Sequence, residues 1–235
     1  MNIFERIQGV FASPKKTLEA VAEKPVWVDI FIVLLVVLAV HTYIITPIMQ
    51  AETLTTFKDN VKLQERMGKD RFEQYLKSQE NPSPGRRLFN ALAFTPISTT
   101  VGFLLSSLFL LIFGRIVSTT GVFKQVLAVY LHAAVIDRVL GTAVRLVSIL
   151  TKKSYFQTST SLALLFPKLS FTSPTYILLS QVDLFQLWMF GVLAFGLAAV
   201  FKIELKKALI VSYGFYLLKS VVYVGLGLLS RSFFS

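Results

Sequence analysis

The 235-residue sequence contains no cysteine and few charged residues for its length. The absence of cysteine excludes disulfides, thiolate catalysis and cysteine-ligated metal sites. Charged residues make up only 16% of the chain, whereas an ordinary soluble domain has roughly a quarter. A water-soluble domain is therefore a poor explanation of this composition.

Known catalytic motifs are also missing. No glycine-rich phosphate loop follows a predicted strand, no H-E-x-x-H zinc motif is present, and no serine lies in a nucleophile elbow. His41 and His132 lie in apolar stretches without a carboxylate three or four residues away. Such a histidine is more often a hydrogen-bonded packing residue than a ligand. The sequence predicts no catalytic residue, metal site or cofactor, and we do not expect an enzyme.

Long apolar runs are the main feature of the sequence. Hydrophobic residues make up 54% of the chain, and residues 30–50, 88–113 and 184–201 lack any Asp, Glu, Lys or Arg. A helix needs about 20 apolar residues to span a bilayer, and a soluble helix of that length would show a polar stripe. We therefore predict an all-α, polytopic membrane helix bundle of about five transmembrane helices, with short interfacial amphipathic helices.

The predicted spans are 27–49, 88–114, 123–150, 183–201 and 208–229. The 123–150 segment is the least regular because Asp137, Arg138 and Arg145 interrupt it, so a re-entrant segment is the alternative. Residues 151–182 are apolar but broken by two prolines, which predicts short interfacial or re-entrant helices.

The net charge is +11, and most Lys and Arg residues lie in the polar segments that flank or connect the apolar runs. This placement suits anionic lipid headgroups better than nucleic acid. Residues 1–26 predict two interfacial helices, the second starting at Ser13-Pro14 and turning Leu18 and Val21 toward the bilayer. Residues 51–85 predict a helical connector that ends in a proline-rich turn, with a partner-docking surface as the alternative.

Charged residues inside the predicted spans are the most informative. A charge at the bilayer centre costs roughly 2.5–3.5 kcal/mol, so these side chains should turn into the bundle. We expect the polar faces of the third and fifth spans to meet and Asp137 to pair with Lys219. A path for an ion or substrate is the alternative interpretation. The predicted intramembrane polar cluster consists of Asp137, Arg138, Arg145, Tyr216, Lys219 and Tyr223.

One stretch has a more specific pattern. The sequence Ser180-Gln-Val-Asp183-Leu-Phe185-Gln-Leu-Trp188 is followed, after an apolar run, by Lys206-Lys207. It resembles the Yip family of membrane proteins (Ypt/Rab-interacting proteins), which show a D-x-F-x-x-W-like start of the fourth span and a lysine-containing turn before the fifth. Other matching pieces are Phe11-x-Ser-Pro14, Pro25-x-Trp27, Phe123-Lys124-Gln125 and Thr160-Ser-Leu-Ala163.

The resemblance implies a five-span domain over residues 27–235 and a cytoplasmic amino terminus, which the count of basic residues does not settle. Without a long polar amino-terminal region, the chain is most similar to short prokaryotic members, so we expect the inner membrane and no binding of small GTPases. Asp183, Phe185 and Trp188 are the motif residues, with a structural or a partner-binding role. Asp183 in particular suits a helix start, where it can accept backbone N–H groups.

Two functions remain open from the sequence. The first is a non-enzymatic scaffold or organiser that contacts the bilayer, other membrane proteins or further copies of itself. The alternative is a small permease, channel or transporter subunit that uses Asp137, Arg138 and Lys219.

Overall fold

The apolar runs form the long helices of a bundle in the computed structural model, which describes residues 1–58, 61–80, 83–156 and 160–234. These ranges contain no β-strand, which confirms the predicted all-α class. The α-helices are α1 (Ile3–Ala12), α2 (Pro14–Glu23), α3 (Val28–Phe57), α4 (Val61–Met67), α5 (Lys69–Glu80), α6 (Pro84–Phe89), α7 (Thr95–Val117), α8 (Phe123–Val135), α9 (Thr142–Lys152), α10 (Pro174–Leu179), α11 (Leu184–Phe201) and α12 (Leu205–Phe234).

Four helices of the described chain are long and apolar enough to cross a membrane. They correspond to the predicted first, second, fourth and fifth spans, and they confirm an integral, multi-pass membrane protein. Their bounds are Val28–Phe57, Pro84–Val117, Leu184–Phe201 and Leu205–Ser230.

The first span continues beyond its predicted end. α3 runs to Phe57 although Pro47 lies inside it. Proline has no N–H, so the carbonyl of Tyr43, four residues earlier, loses its helical donor. Arg87 supplies another: its Nε donates to the Tyr43 carbonyl at 2.6 Å, and its guanidinium lies 3.8 Å from the centre of the Tyr43 ring. A side chain from the second span thus compensates the proline.

The third predicted span forms the central helix of the bundle. α8, a π-helical turn at Ile136–Gly141 and α9 follow one another without a break, so residues 123–152 make about 45 Å of helix. All residues from 126 to 137 are buried, and α2, α7 and α11 pack around them. This helix is not one of the four named above, but its length suits a span.

The two ends of the central helix lie at opposite ends of the bundle. At its start, the Gln125 side chain donates to the Ala22 carbonyl, which precedes α3, at 2.9 Å. Just after its end, the Ser154 hydroxyl donates to Glu52, near the far end of α3, at 2.6 Å. The central helix therefore runs alongside α3 and connects the same two ends, as a fifth span would.

A glycine allows close packing of α11 on the central helix. A Cβ added at Gly196 would lie only 2.7 Å from Cβ of Val129. Small residues of this kind let membrane helices approach each other, and the sequence pattern of small residues in the fourth span points to the same packing.

The amino-terminal helices are held by the bundle. A capping box between Asn2 and Glu5 starts α1, and Pro14 starts α2 as predicted. α2 packs against α8 and α11, so that Leu18 and Val21 are 0% and 2% exposed. The expectation that Leu18 and Val21 face the bilayer is wrong, because α11 and α8 cover the apolar face of α2.

The remaining segments contain short helices. The connector forms α4, α5 and α6, and α5 packs against α3; its predicted turn at Asn81-Pro82 lies outside the described residues. Between α9 and α11 the described chain holds a 3₁₀ turn at Leu162–Leu165 and α10, whose cap Ser173 accepts from the Tyr176 N–H at 3.2 Å.

Candidate functional site

The start of α11 is organised by one carboxylate. Asp183 precedes the helix in an extended conformation and is 5% exposed. Its Oδ1 accepts the backbone N–H groups of Phe185 at 2.9 Å and Gln186 at 3.1 Å. These donors have no partner inside the helix, so Asp183 is an N-cap, as its position predicts.

The same residue joins two stretches that resemble the family. Its Oδ2 accepts from the Thr160 hydroxyl, and an isolated antiparallel bridge pairs Ser161 with Asp183. Backbone bonds from Leu162 to Val182 at 3.0 Å and from Leu184 to Thr160 at 3.3 Å flank the bridge. The Thr160–Ala163 and Ser180–Trp188 pieces of the sequence are thus neighbours in the fold.

Arg145 connects this region to the central helix. Its Nη2 donates to the Asp137 carboxylate at 2.7 Å and to the Asp137 carbonyl at 2.9 Å. Its Nη1 donates to Thr160 at 3.1 Å and lies 3.4 Å from Asp183 Oδ2. We call Asp137, Arg145 and Asp183 the charge network. It holds two carboxylates that are 3% and 5% exposed, and a buried charge requires such pairing.

The predicted pairing of Asp137 with Lys219 is wrong. Lys219 Nζ instead donates to the side-chain oxygen of Gln186 at 2.5 Å. It also lies 5.3 to 5.9 Å from the ring centres of Phe190, Tyr216 and Tyr223, a distance at which aromatic faces attract cations. The reason is topological: α11 packs against both the central helix and α12 and lies between the two polar faces.

The remaining members of the predicted polar cluster have lesser roles. Arg138 Nε lies 3.4 Å from Asp137, but its side chain is 40% exposed. The Tyr216 hydroxyl donates to the Gln181 carbonyl, just before α11. Tyr223 is 55% exposed. The structure therefore divides the predicted cluster into the charge network and a separate environment around Lys219.

The two aromatic motif residues hold α11 to other elements. Phe185 is buried against the π-helical turn, where a Cβ on Gly141 would lie 3.0 Å from Phe185. Trp188 packs edge-to-face on Phe11 of α1, with ring centres 5.8 Å apart. The geometry gives all three motif residues a packing or capping role, and Trp188 remains 42% exposed.

A further buried charge was not anticipated from the sequence. Arg6 of α1 is 7% exposed, donates from Nε to His132 Nε2 at 3.1 Å, and forms an ion pair with Asp29. His132 also bonds through Nδ1 to the Ala128 carbonyl at 2.7 Å, which confirms it as a hydrogen-bonded packing residue. The sequence feature that could have indicated this contact is Asp29, a carboxylate in the first turn of an apolar span.

Comparison with known proteins matches nearly the whole chain to one family model. The family model described as the Yip1 domain matches residues 9–227, a range that includes the charge network, Gly196 and the three motif residues. No curated protein and no solved structure gives a significant match.

Proposed function

This chain belongs to the Yip1 domain family of membrane proteins, and from that premise we propose that it is a non-enzymatic scaffold that organises other components of its membrane. We further propose that its amino terminus is cytoplasmic, in a prokaryotic inner membrane, as the resemblance to short family members suggests.

The observation that carries the proposal is the internal use of the intramembrane charges. Asp137 and Asp183 are buried, and both are engaged by Arg145. Charges committed to each other fix the relative positions of helices, and they compensate one another without a solute. A rigid bundle of this kind suits a role in holding partners.

The outward faces of the long helices supply contact area. α7 exposes bulky side chains such as Phe109 and Ile112, at 42% and 48% exposure, and α12 does the same. These faces can bind lipid, another membrane protein or a second copy of the chain.

Photocross-linking in the native membrane tests the scaffold. A photoreactive residue at exposed Ile112 should give discrete protein adducts, and one at Leu110, which is 0% exposed on the same helix, should give none. An adduct of twice the chain mass would identify a second copy as the partner. Adducts to lipid alone would contradict the proposal.

A permease is the second candidate, and one observation favours it. Lys219 is held by the neutral Gln186 and by aromatic rings, and it has no carboxylate within 4.0 Å among the described residues. An intramembrane cation of this kind often marks a transport path. Solute flux into proteoliposomes that disappears in Lys219→Met would favour the permease and contradict the scaffold.

A further inference from the structure

A crevice opens beside the charge network, between α3 and α9. Its volume is about 310 Å³. His41 and Arg145 supply its polar groups, Ile149 contributes an aliphatic surface, and aromatic rings from the segment after α9 close it. A second cavity, of about 390 Å³, shares Phe156, Phe171 and Tyr176 with the first and also contacts Lys152.

Two polar groups in the first crevice are not used by the fold. His41 Nδ1 is buried and has no hydrogen-bond partner among the residues that the structure describes, and such a polar atom requires an explanation. Arg145 makes its hydrogen bonds through Nη1 and Nη2, and its Nε–H has no partner among the described residues. Arg145 Nε–H is therefore available as a donor at this cavity, and His41 Nδ1 is a second donor when it carries the ring proton.

Lys152 adds a positive charge beside Arg145, whose own charge is shared with Asp137 and Asp183. Lys152 follows Arg145 by seven residues, so the two cations share a face of α9, about 10 Å apart. The nearby Glu52 carboxylate is already engaged by Ser154 and by the backbone N–H groups of Tyr155 and Phe156, at 2.5 to 3.0 Å. Its negative charge is thus taken up by fixed donors.

The walls of the crevice are apolar and fixed. Phe156 and Phe171 stack with ring centres 4.4 Å apart, and the Tyr176 hydroxyl donates to the Phe156 carbonyl at 2.7 Å. Burial, assisted by Glu52, raises the pKa of Tyr176, so its hydroxyl remains a donor. Exposed Val147 and Leu150 lie on the same helix, α9. A ligand here needs both an anionic group and a hydrocarbon part.

We propose that this crevice binds the phosphate headgroup of an anionic phospholipid. Arg145 Nε–H and a proton on His41 Nδ1 donate to the phosphate oxygens, Lys152 attracts the headgroup, and the aromatic walls pack against the start of the acyl chains. The assignment concerns a lipid site on this chain and holds whether or not the scaffold has a protein partner.

Binding of three probes to the purified full chain in neutral detergent tests the site. The probes are dioctanoyl phosphatidic acid, dioctanoylglycerol without a phosphate, and sodium phosphate without acyl chains. Native mass spectrometry and thermal stabilisation are the readouts. We expect saturable binding of the phosphatidic acid alone.

Variants connect binding to the crevice. His41→Phe fills the space and removes the free donor, so phosphatidic acid should bind about tenfold more weakly. Lys152→Gln, on an exposed side chain that the fold does not need, should weaken binding about threefold. Lys168→Gln is the matched control, because it removes the same charge from the neighbouring segment without lining either cavity.

The outcomes are distinct from those of the scaffold test. Equal binding of dioctanoylglycerol, or unchanged binding in both His41→Phe and Lys152→Gln, would overturn the phosphate site. Binding of sodium phosphate as tight as that of phosphatidic acid would make the ligand a soluble anion and overturn the lipid assignment. None of these results depends on the cross-links from Ile112.

Discussion

Asp183 contacts different partners through its two carboxylate oxygens. Oδ1 caps α11, and Oδ2 receives Thr160 and faces Arg145. Asparagine keeps a capping oxygen but loses the charge, whereas alanine loses both. We predict that Asp183→Ala lowers the free energy of unfolding by about 1–2 kcal/mol more than Asp183→Asn does. Reversible unfolding in mixed micelles measures the difference, and equal losses would show that the cap contributes nothing.

Arg145 is the shared partner of two buried carboxylates, which makes the charge network testable by rescue. Arg145→Met leaves Asp137 and Asp183 without their cation and should cost about 3–5 kcal/mol of unfolding free energy. Adding Asp137→Asn should recover part of that loss, because one uncompensated charge is removed.

The control for this rescue is Lys219. Lys219→Met should show little coupling to Asp137→Asn, since Lys219 bonds to Gln186 and forms no ion pair with Asp137. Strong coupling of Asp137 to Lys219, with none to Arg145, would contradict the network and restore the pairing expected from the sequence.

The sequence predicts the helix cap at Asp183 but not the ion pair between Asp137 and Arg145. The two differ in how far apart the interacting residues are in the chain. Capping depends on residues next to each other in the chain, so Asp183 can be assigned from the sequence. In an unbroken α-helix, Asp137 and Arg145 lie about 80° apart around the axis. The π-helical turn at Ile136–Gly141 changes that angle, and no residue pattern in the sequence announced it.

At the scale of helices, close packing of α11 on the central helix depends on Gly196. Gly196→Ala introduces a Cβ 2.7 Å from Val129, and we expect it to lower the unfolding free energy by about 1–3 kcal/mol. Gly102→Ala is the matched control, because nothing lies within 4 Å of its new Cβ; it should be neutral or mildly stabilising. Similar losses at both glycines would indicate that helix packing is not the cause.

The sequence does not predict which neighbours the short helices pack against. Ser13-Pro14 and the apolar spacing locate α2 correctly, but the same apolar face fits a bilayer or a protein neighbour equally well. In the structure the apolar face of α2 packs against α8 and α11. Contacts between residues far apart in the chain cannot be predicted from local periodicity. The four apolar spans could be predicted because length and hydropathy are properties of each segment alone.

For the whole molecule, the number of crossings depends on the central helix. Its start lies beside Ala22 and its end beside Glu52, so five crossings place the ends of the chain on opposite sides. If the central helix were re-entrant, only the four apolar helices would cross, and the segments after it would exchange sides.

Single cysteines distinguish these topologies cleanly because the chain has no cysteine of its own. With five crossings and a cytoplasmic amino terminus, a membrane-impermeant maleimide added to intact cells should label Lys168→Cys and should not label Lys24→Cys or Lys202→Cys. All three positions are exposed, so permeabilised cells should label each of them and provide the control. A re-entrant central helix would reverse the result for Lys168 and Lys202 while leaving Lys24 unchanged. A fully inverted chain would label Lys24 and Lys202 alone, which would overturn the proposed orientation but keep five crossings.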